Sequence, residues 1–156
     1  SRTLFLPYIG GERTPHNNPS MRGQFRHLDQ ATDAREAARA VVEGVTFAFA
    51  DCHEALRSTG TVIERALALG GGAKSDYWLS AIATTLNLPL MLPQAGDFGA
   101  ALGAARLGMM AGCGAGIEIA ALPPIEKTIQ PQSALSNAFQ DTHARYRAAY
   151  SALKDL

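Results

Sequence analysis

The stretch Leu69-Gly70-Gly71-Gly72-Ala73-Lys74-Ser75-Asp76 decides the reading of this chain. Ahead of it, Val62-Ile63 and Ala66-Leu67-Ala68-Leu69 make an apolar run over Thr61–Leu69, which predicts a buried strand ending at Gly70. Behind it, Trp78, Ile82 and Leu86 recur at helical spacing and predict a helix from about Ser75 to Asn87. Glycine between a strand and a helix permits positive φ and lets a ligand approach the backbone. The N–H groups that open the helix point into such a turn, and the helix dipole favours an anion there. Lys74 adds positive charge. Two phosphate fingerprints nonetheless fail. The P-loop G-x-x-x-x-G-K-[ST] breaks because Ala73 separates Gly72 from Lys74 and Leu67 stands at the first glycine position. The dinucleotide pattern G-x-G-x-x-G breaks at Ser75. On these grounds the turn is either a structural bend or a phosphate site.

Further along, Leu88–Leu92 predicts a second strand before Pro93, and Phe98 to Met110 a helix. In that helix Ala101, Ala105, Gly108 and Gly112 form a small-residue stripe suited to close packing. Residues 113–132 are rich in Gly and Pro and predict a connector. A last helix over Ser133–Leu153 presents Leu135, Phe139, Thr142, Tyr146, Tyr150 and Leu153 on one face. Upstream, Thr3–Leu6 predicts a short strand, followed by a long polar loop to residue 30 carrying Pro7, Pro15 and Pro19. A long helix should open near Asp33, where Asp33 and Glu36 make a capping-box pair. Its apolar face reads Val41, Val45, Ala48, Cys52 and Leu56, with Gly60 as the stop. Gly44 inside it costs about 1 kcal/mol relative to Ala, which close packing would offset. Strand-helix-strand-helix order predicts α/β with parallel pairing in the middle.

Composition narrows the classes. The chain has 156 residues, 47% hydrophobic and 18% charged, which argues against disorder. Fourteen basic residues balance fourteen acidic ones, so the electrostatic footprint of a nucleic-acid binder is missing, as is any polybasic run for a membrane surface. No apolar stretch is long enough to span a bilayer. Two cysteines, Cys52 and Cys113, are too few for a disulfide framework, so a cytoplasmic location is expected. The chain opens at Ser1 without a Met and runs straight into Leu4-Phe5-Leu6, so it is expected to begin inside a larger protein; a trimmed natural terminus is the alternative.

The string ALGGGAKSDYW resembles the nucleotide motif in the C-terminal domain of the FGGY carbohydrate kinases. Gly23, Phe25, Leu28, Glu36, Ala40, Val41, Val42 and Glu43 fall in step with that family's second signature. His27 departs from it where the pattern has Gly, and Ala37 where it has a larger aliphatic residue. Pro7 to His16 resembles the segment typical of the xylulose kinases within the family, and Gly99 to Ala105 the helix that follows the nucleotide motif. The resemblance covers nearly the whole chain in the expected order.

The resemblance implies a ribonuclease-H-like fold of the actin and hexokinase type: α/β, a mixed sheet with flanking helices, here an incomplete C-terminal domain spanning 1–156. It implies ATP-dependent phosphoryl transfer to D-xylulose or a related pentulose or polyol, with Mg²⁺ arriving on the nucleotide. The backbone of Gly71, Gly72 and Ala73 would pass close to ATP, with Ser75 or Asp76 near the base or ribose. The family's catalytic aspartate, its D-x-G-T loop and its G-T-S-G loop belong to preceding residues. This chain therefore holds no catalytic or metal residue in this reading and is expected to be inert alone. Its partners would be ATP, a sugar and the missing N-terminal domain, and an exposed apolar face leaves homodimer formation open. A non-catalytic nucleotide-binding or assembly module of actin-like fold, or a kinase for ribulose, glycerol or gluconate, is the alternative. A Rossmann oxidoreductase is weaker because the fingerprint fails.

The remaining polar residues read as structural. Glu12 and Arg13 are assigned to holding the long loop or touching the other domain, and Asp97 to a helix cap. Cys52 and His53 point apart on a helix and make no metal site, and His27 and His143 have no partner by spacing.

Overall fold

The computed structural model describes residues 1–94, 96 and 99–154. Strand β1 (Leu4–Leu6) pairs antiparallel with β2 (Gln24–Arg26), Leu4 opposite Arg26. Helix α1 (Ala34–Ser58) follows, then β3 (Ala66–Leu67), a 3-10 turn over Gly71–Lys74, and α2 (Asp76–Leu86). Next come β4 (Leu90–Pro93), α3 (Gly99–Cys113), β5 (Ile125–Ile129) and α4 (Ser133–Leu153). The second sheet runs β3-β4-β5, with β3 parallel and β5 antiparallel to β4. The expected parallel pair is thus present inside a mixed sheet.

Local chemistry sets the helix ends. Asp33 caps α1 by accepting the Glu36 N–H at 2.7 Å. Glu36 does not reach back as a capping box requires. Its carboxylate accepts instead from the backbone N–H groups of Arg2 and Thr3, at 3.3 and 3.4 Å, and so ties β1 to the helix start. Gly60, at φ 86°, follows the helix as expected. Ser75 and Asn87 cap α2, Asn87 at φ 51° in the left-handed region.

The buried stripe of α1 differs from the expected one. Ala40, Glu43, Gly44, Phe47, Ala50 and Asp51 are buried, whereas Val41, Val45, Ala48 and Cys52 are half-buried and Leu56 is exposed. The helix turns its smallest residue and two carboxylates inward. A Cβ on Gly44 would overlap the Phe5 carbonyl oxygen, so glycine is what lets α1 lie against β1. The Glu43 carboxylate is pushed up by burial. It is held below its ordinary range by the Ser1 nitrogen, which donates to it at 2.8 Å, and by Arg39, whose Nε donates to it at 2.6 Å. Tyr77 on α2 donates to the same carboxylate at 3.0 Å.

Two cores result. Leu6, Tyr8, Met21, Phe47, Ala81, Phe139, Tyr146, Tyr150 and Leu153 join β1, α1, α2 and α4. Leu79, Ala83 and Leu90, with Ala66, Ala73, Ile82 and Ile129 against them, close α2 over the three-stranded sheet. In the first core the Tyr146 hydroxyl donates to that of Tyr8 at 2.7 Å. Burial pushes both phenols far above their ordinary range. His143, expected without a partner, lies 2.9 Å from the buried Asp51 carboxylate, with Arg147 at 3.4 Å. Helical spacing alone gives no view of this contact between α1 and α4.

Four other expectations change. The strand over Thr61–Leu69 contracts to Ala66–Leu67, and Val62 is exposed. The polar loop contains β2, and the Gly/Pro-rich connector contains β5, each held mainly by backbone pairing. The small-residue stripe of α3 is not a core face: a Cβ at Gly108 or Gly112 would meet nothing within 4 Å, and no described residue of α3 is buried. Asp97 and Phe98, given as a cap and a helix start, lie outside the described residues. Glu12 does hold its loop, accepting the His16 N–H at 2.9 Å.

Three measurements follow from this packing. Gly44→Ala gains helix propensity, but the clash with Phe5 dominates. Urea denaturation should show a net loss of about 1–3 kcal/mol, and unchanged stability would contradict the close approach. His27 sits at φ 59°, where a Cβ is strained, so His27→Gly should raise the melting temperature by a few degrees. Raised phenol values stabilise the fold below about pH 10 and lose that contribution as pH rises above it. Stability should therefore decline in alkali, with a shallower slope in the Tyr8→Phe, Tyr146→Phe double variant.

Candidate functional site

The glycine turn leaves the C-terminal end of β3 and enters α2. Gly70 takes φ 84°, ψ −175°, a conformation that strains any other residue. Its N–H donates to the Gly96 carbonyl at 3.1 Å, which fixes the turn to the segment leading into α3. The Ala73 N–H then closes on the Gly70 carbonyl at 3.0 Å. The N–H groups of Gly71 and Gly72 precede that bond and are not used by it. Opening a helix without an intrahelical acceptor is the arrangement that receives an anion.

The three glycines differ in what surrounds them. A Cβ at Gly70 or Gly71 would meet nothing within 4 Å. A Cβ at Gly72 would stand 2.5 Å from Cζ3 of Trp78. Gly71 is thus the open point of the turn, and Gly72 is small because an indole ring lies beside it.

Ala73 faces inward, packed against the Leu79, Ala83 and Leu90 core. The Ser75 hydroxyl accepts the Trp78 N–H at 3.3 Å as the cap of α2. Asp76 is exposed and pairs with Lys127 of β5, Nζ to Oδ1 2.7 Å. The turn therefore gathers all five residues singled out by sequence, but their side chains do not converge. Gly71 and Gly72 offer main-chain donors, while Ala73, Ser75 and Asp76 use their side chains to hold the turn, the helix and β5 together.

Sequence reasoning missed the contribution of Thr46, Trp78 and Lys127. Trp78 donates its indole N–H to Thr46 Oγ1 at 3.1 Å and stacks near Phe49, ring centroids 6.5 Å apart. Lys127 reaches the turn only because β5 pairs with β4, and β5 was read as connector. The one available signal was weak: Ile125 and Ile129 stand four apart, with Lys127 between them on the same face of an extended segment. Behind the turn, Trp78, Ile82, Leu86, Cys52 and Leu67 line an apolar cavity of about 340 Å³. The stripe expected to be the core of α1 contributes Cys52 and Leu56 to that wall. Among the described residues no group of three His, Cys, Asp or Glu side chains is placed to hold a metal ion.

The profile of the FGGY family of carbohydrate kinases, C-terminal domain, matches residues 1–112. A xylulose kinase of Escherichia coli K12 is 39% identical over 154 residues, which is 97% of this chain and 32% of that protein. A crystal structure described as a xyloylose kinase from Brucella ovis superposes with TM-score 0.87 at 49% identity, covering 98% of this chain and 32% of that one. A gluconate kinase from Lactobacillus acidophilus aligns with TM-score 0.74 at 30% identity, over 98% of this chain and 31% of that one. The chain spans about a third of the length of the relatives it matches. The profile match over residues 1–112 and the similarity to these sugar kinases place the chain in the FGGY family of carbohydrate kinases, through that family's C-terminal domain.

Proposed function

We propose that this chain is the nucleotide-side part of an ATP-dependent sugar kinase acting on D-xylulose or a related pentulose, and that the turn at Gly71 and Gly72 receives a phosphate of the nucleotide. The observation that carries the reading is the open face at Gly71, whose N–H opens the 3-10 turn ahead of α2 and takes no part in the Ala73–Gly70 bond that closes it. Support for the acceptor comes from the xylulose kinases among the relatives. In this reading residues 1–156 form one unit of the C-terminal domain. Ala73 sets the depth of the turn, and Ser75 and Asp76 stand at its rim on the side of the base or ribose.

The reaction moves the γ-phosphoryl group. An acceptor hydroxyl oxygen bonds to the γ-phosphorus, the bond to the β-phosphate oxygen breaks, ADP leaves, and the hydroxyl proton passes to a base. Such transfer is mostly positioning and electrostatic stabilisation. This chain's share is to orient the nucleotide by fixed N–H groups. Mg²⁺ carried on the phosphates would supply charge neutralisation there, and the base would belong to the remainder of the enzyme.

Three outcomes are expected. With ATP, Mg²⁺ and D-xylulose in a coupled assay, this chain alone should give no turnover; robust turnover would overturn the division of labour. Titrating ADP into ¹⁵N-labelled chain should move the amide signals of Gly71 and Gly72, and Gly71→Val should abolish that response without lowering the melting temperature. Gly72→Val is no clean probe, because its side chain collides with Trp78 and should unsettle the fold by itself.

A further inference from the structure

We propose that Trp78 is the positioning residue of the glycine turn, holding the Gly71 and Gly72 N–H groups at the height from which they meet a phosphate. The proposal rests on the nucleotide reading of the turn. Three observations converge on this side chain. Its six-membered ring fills the space where a Gly72 side chain would begin, with Cζ3 at 2.5 Å and Cε3 at 3.1 Å from that point. Its Nε1 donates to Thr46 Oγ1 at 3.1 Å, and fully buried Thr46 donates onward to the Val42 carbonyl at 2.9 Å. Its backbone N–H closes the Ser75 cap at 3.3 Å.

One residue therefore fixes the N-terminus of α2 through its backbone and supports the turn through its ring. The tether to Thr46 restrains the ring's freedom to swing, because breaking a hydrogen bond to a fully buried hydroxyl is costly. Gly70 is held by its N–H on the Gly96 carbonyl and Ala73 by the core, while within the glycine run the side-chain support comes from the indole beside Gly72. Position 72 must then be glycine for the sake of the indole, while position 71 stays open toward solvent. The pairing of a bare Gly72 with Trp78 acts as a spacer of set thickness between α1 and the turn.

The test uses ¹⁵N-labelled chain and ADP as the probe, with wild type, Trp78→Phe, Thr46→Val, Gly72→Ala and the Gly72→Ala, Trp78→Phe double variant. Phenylalanine withdraws the outer ring and the N–H. The ADP-induced shift of the Gly71 amide at one fixed concentration should fall to about a tenth in Trp78→Phe. Thr46→Val, which loses one hydrogen bond but keeps the ring, should weaken ADP about fivefold. Gly72→Ala should weaken it as well, and the double variant should recover toward wild type because the methyl enters the vacated space. A packing role alone would lower the melting temperature of Trp78→Phe and leave its ADP response at the wild-type level, which overturns the proposal. A double variant no better than its two parents overturns it too. If Trp78→Phe does not fold, Thr46→Val decides by the same criterion. If wild type itself shows no ADP response at Gly71 and Gly72, the nucleotide reading falls. Positioning is then judged without ligand: altered Gly71 amide shifts and faster exchange in Thr46→Val support it, and wild-type values overturn it.

Discussion

Helix α1 lies so close to β1 at Gly44 that the Phe5 carbonyl occupies the place of a side chain, and the remaining packing is arranged around that contact. One position earlier, Glu43 collects Arg39 from its own helix and Tyr77 from α2. Two positions later, Thr46 receives Trp78. A helix held a few tenths of an ångström farther from β1 would shift both partners, and with them the start of α2. Cores packed as densely as organic crystals pass such displacements on rather than absorbing them. The height of the glycine turn is therefore coupled to an event on the far side of α1, carried by an acidic side chain, a hydroxyl and an indole.

This coupling gives the run Gly70-Gly71-Gly72 three separate physical reasons. Gly70 needs its backbone angle and Gly72 needs to make room for a ring, whereas the described geometry asks for no glycine at 71. In the proposed role, a run of identical letters would mix structural necessity with access for a ligand. The same distinction holds among the polar residues. Ser75 and Asp76 sit where a nucleotide motif would place them, yet their side chains cap a helix and anchor β5. A turn whose own residues lock it in place needs no rearrangement to present its N–H groups, and preorganisation of this kind favours a transition state whose charge appears in a fixed position.

Much of the frame was legible because it is local. Asp33 announced the start of α1 through capping chemistry, the spacing of Trp78, Ile82 and Leu86 placed α2, and the spacing of Phe139, Tyr146, Tyr150 and Leu153 marked the buried face of α4. The face of α1 was misread by about one residue because hydrophobic counting discards Glu43, Gly44 and Asp51, which are buried only by virtue of partners far away in sequence. Strands β2 and β5 were missed for a related reason: short, half-exposed strands get their definition from a neighbour's hydrogen bonds, and little of that is written in their own residues. At the site, the turn and its glycines could be seen from sequence. Its supports Trp78, Thr46 and Lys127 could not be seen together, since three separate elements bring them to one place.

In the proposed role, the energetics of such a turn favour orientation over capture. Two N–H groups donating to a charged oxygen contribute about 3–6 kcal/mol, and a helix N-terminus adds about 0.3–1 kcal/mol. Association costs at least about 4 kcal/mol in lost freedom. The balance corresponds to millimolar affinity or weaker, so the turn orients a nucleotide far better than it captures one. Capture requires burial of the base and charge neutralisation on the remaining phosphates. The chain spans 32% of its relative's length, and in the proposed role it would supply one wall of such a cleft. Weak, rigid and directional donors suit that wall: they add little to ground-state binding and are already in place when phosphoryl transfer redistributes charge.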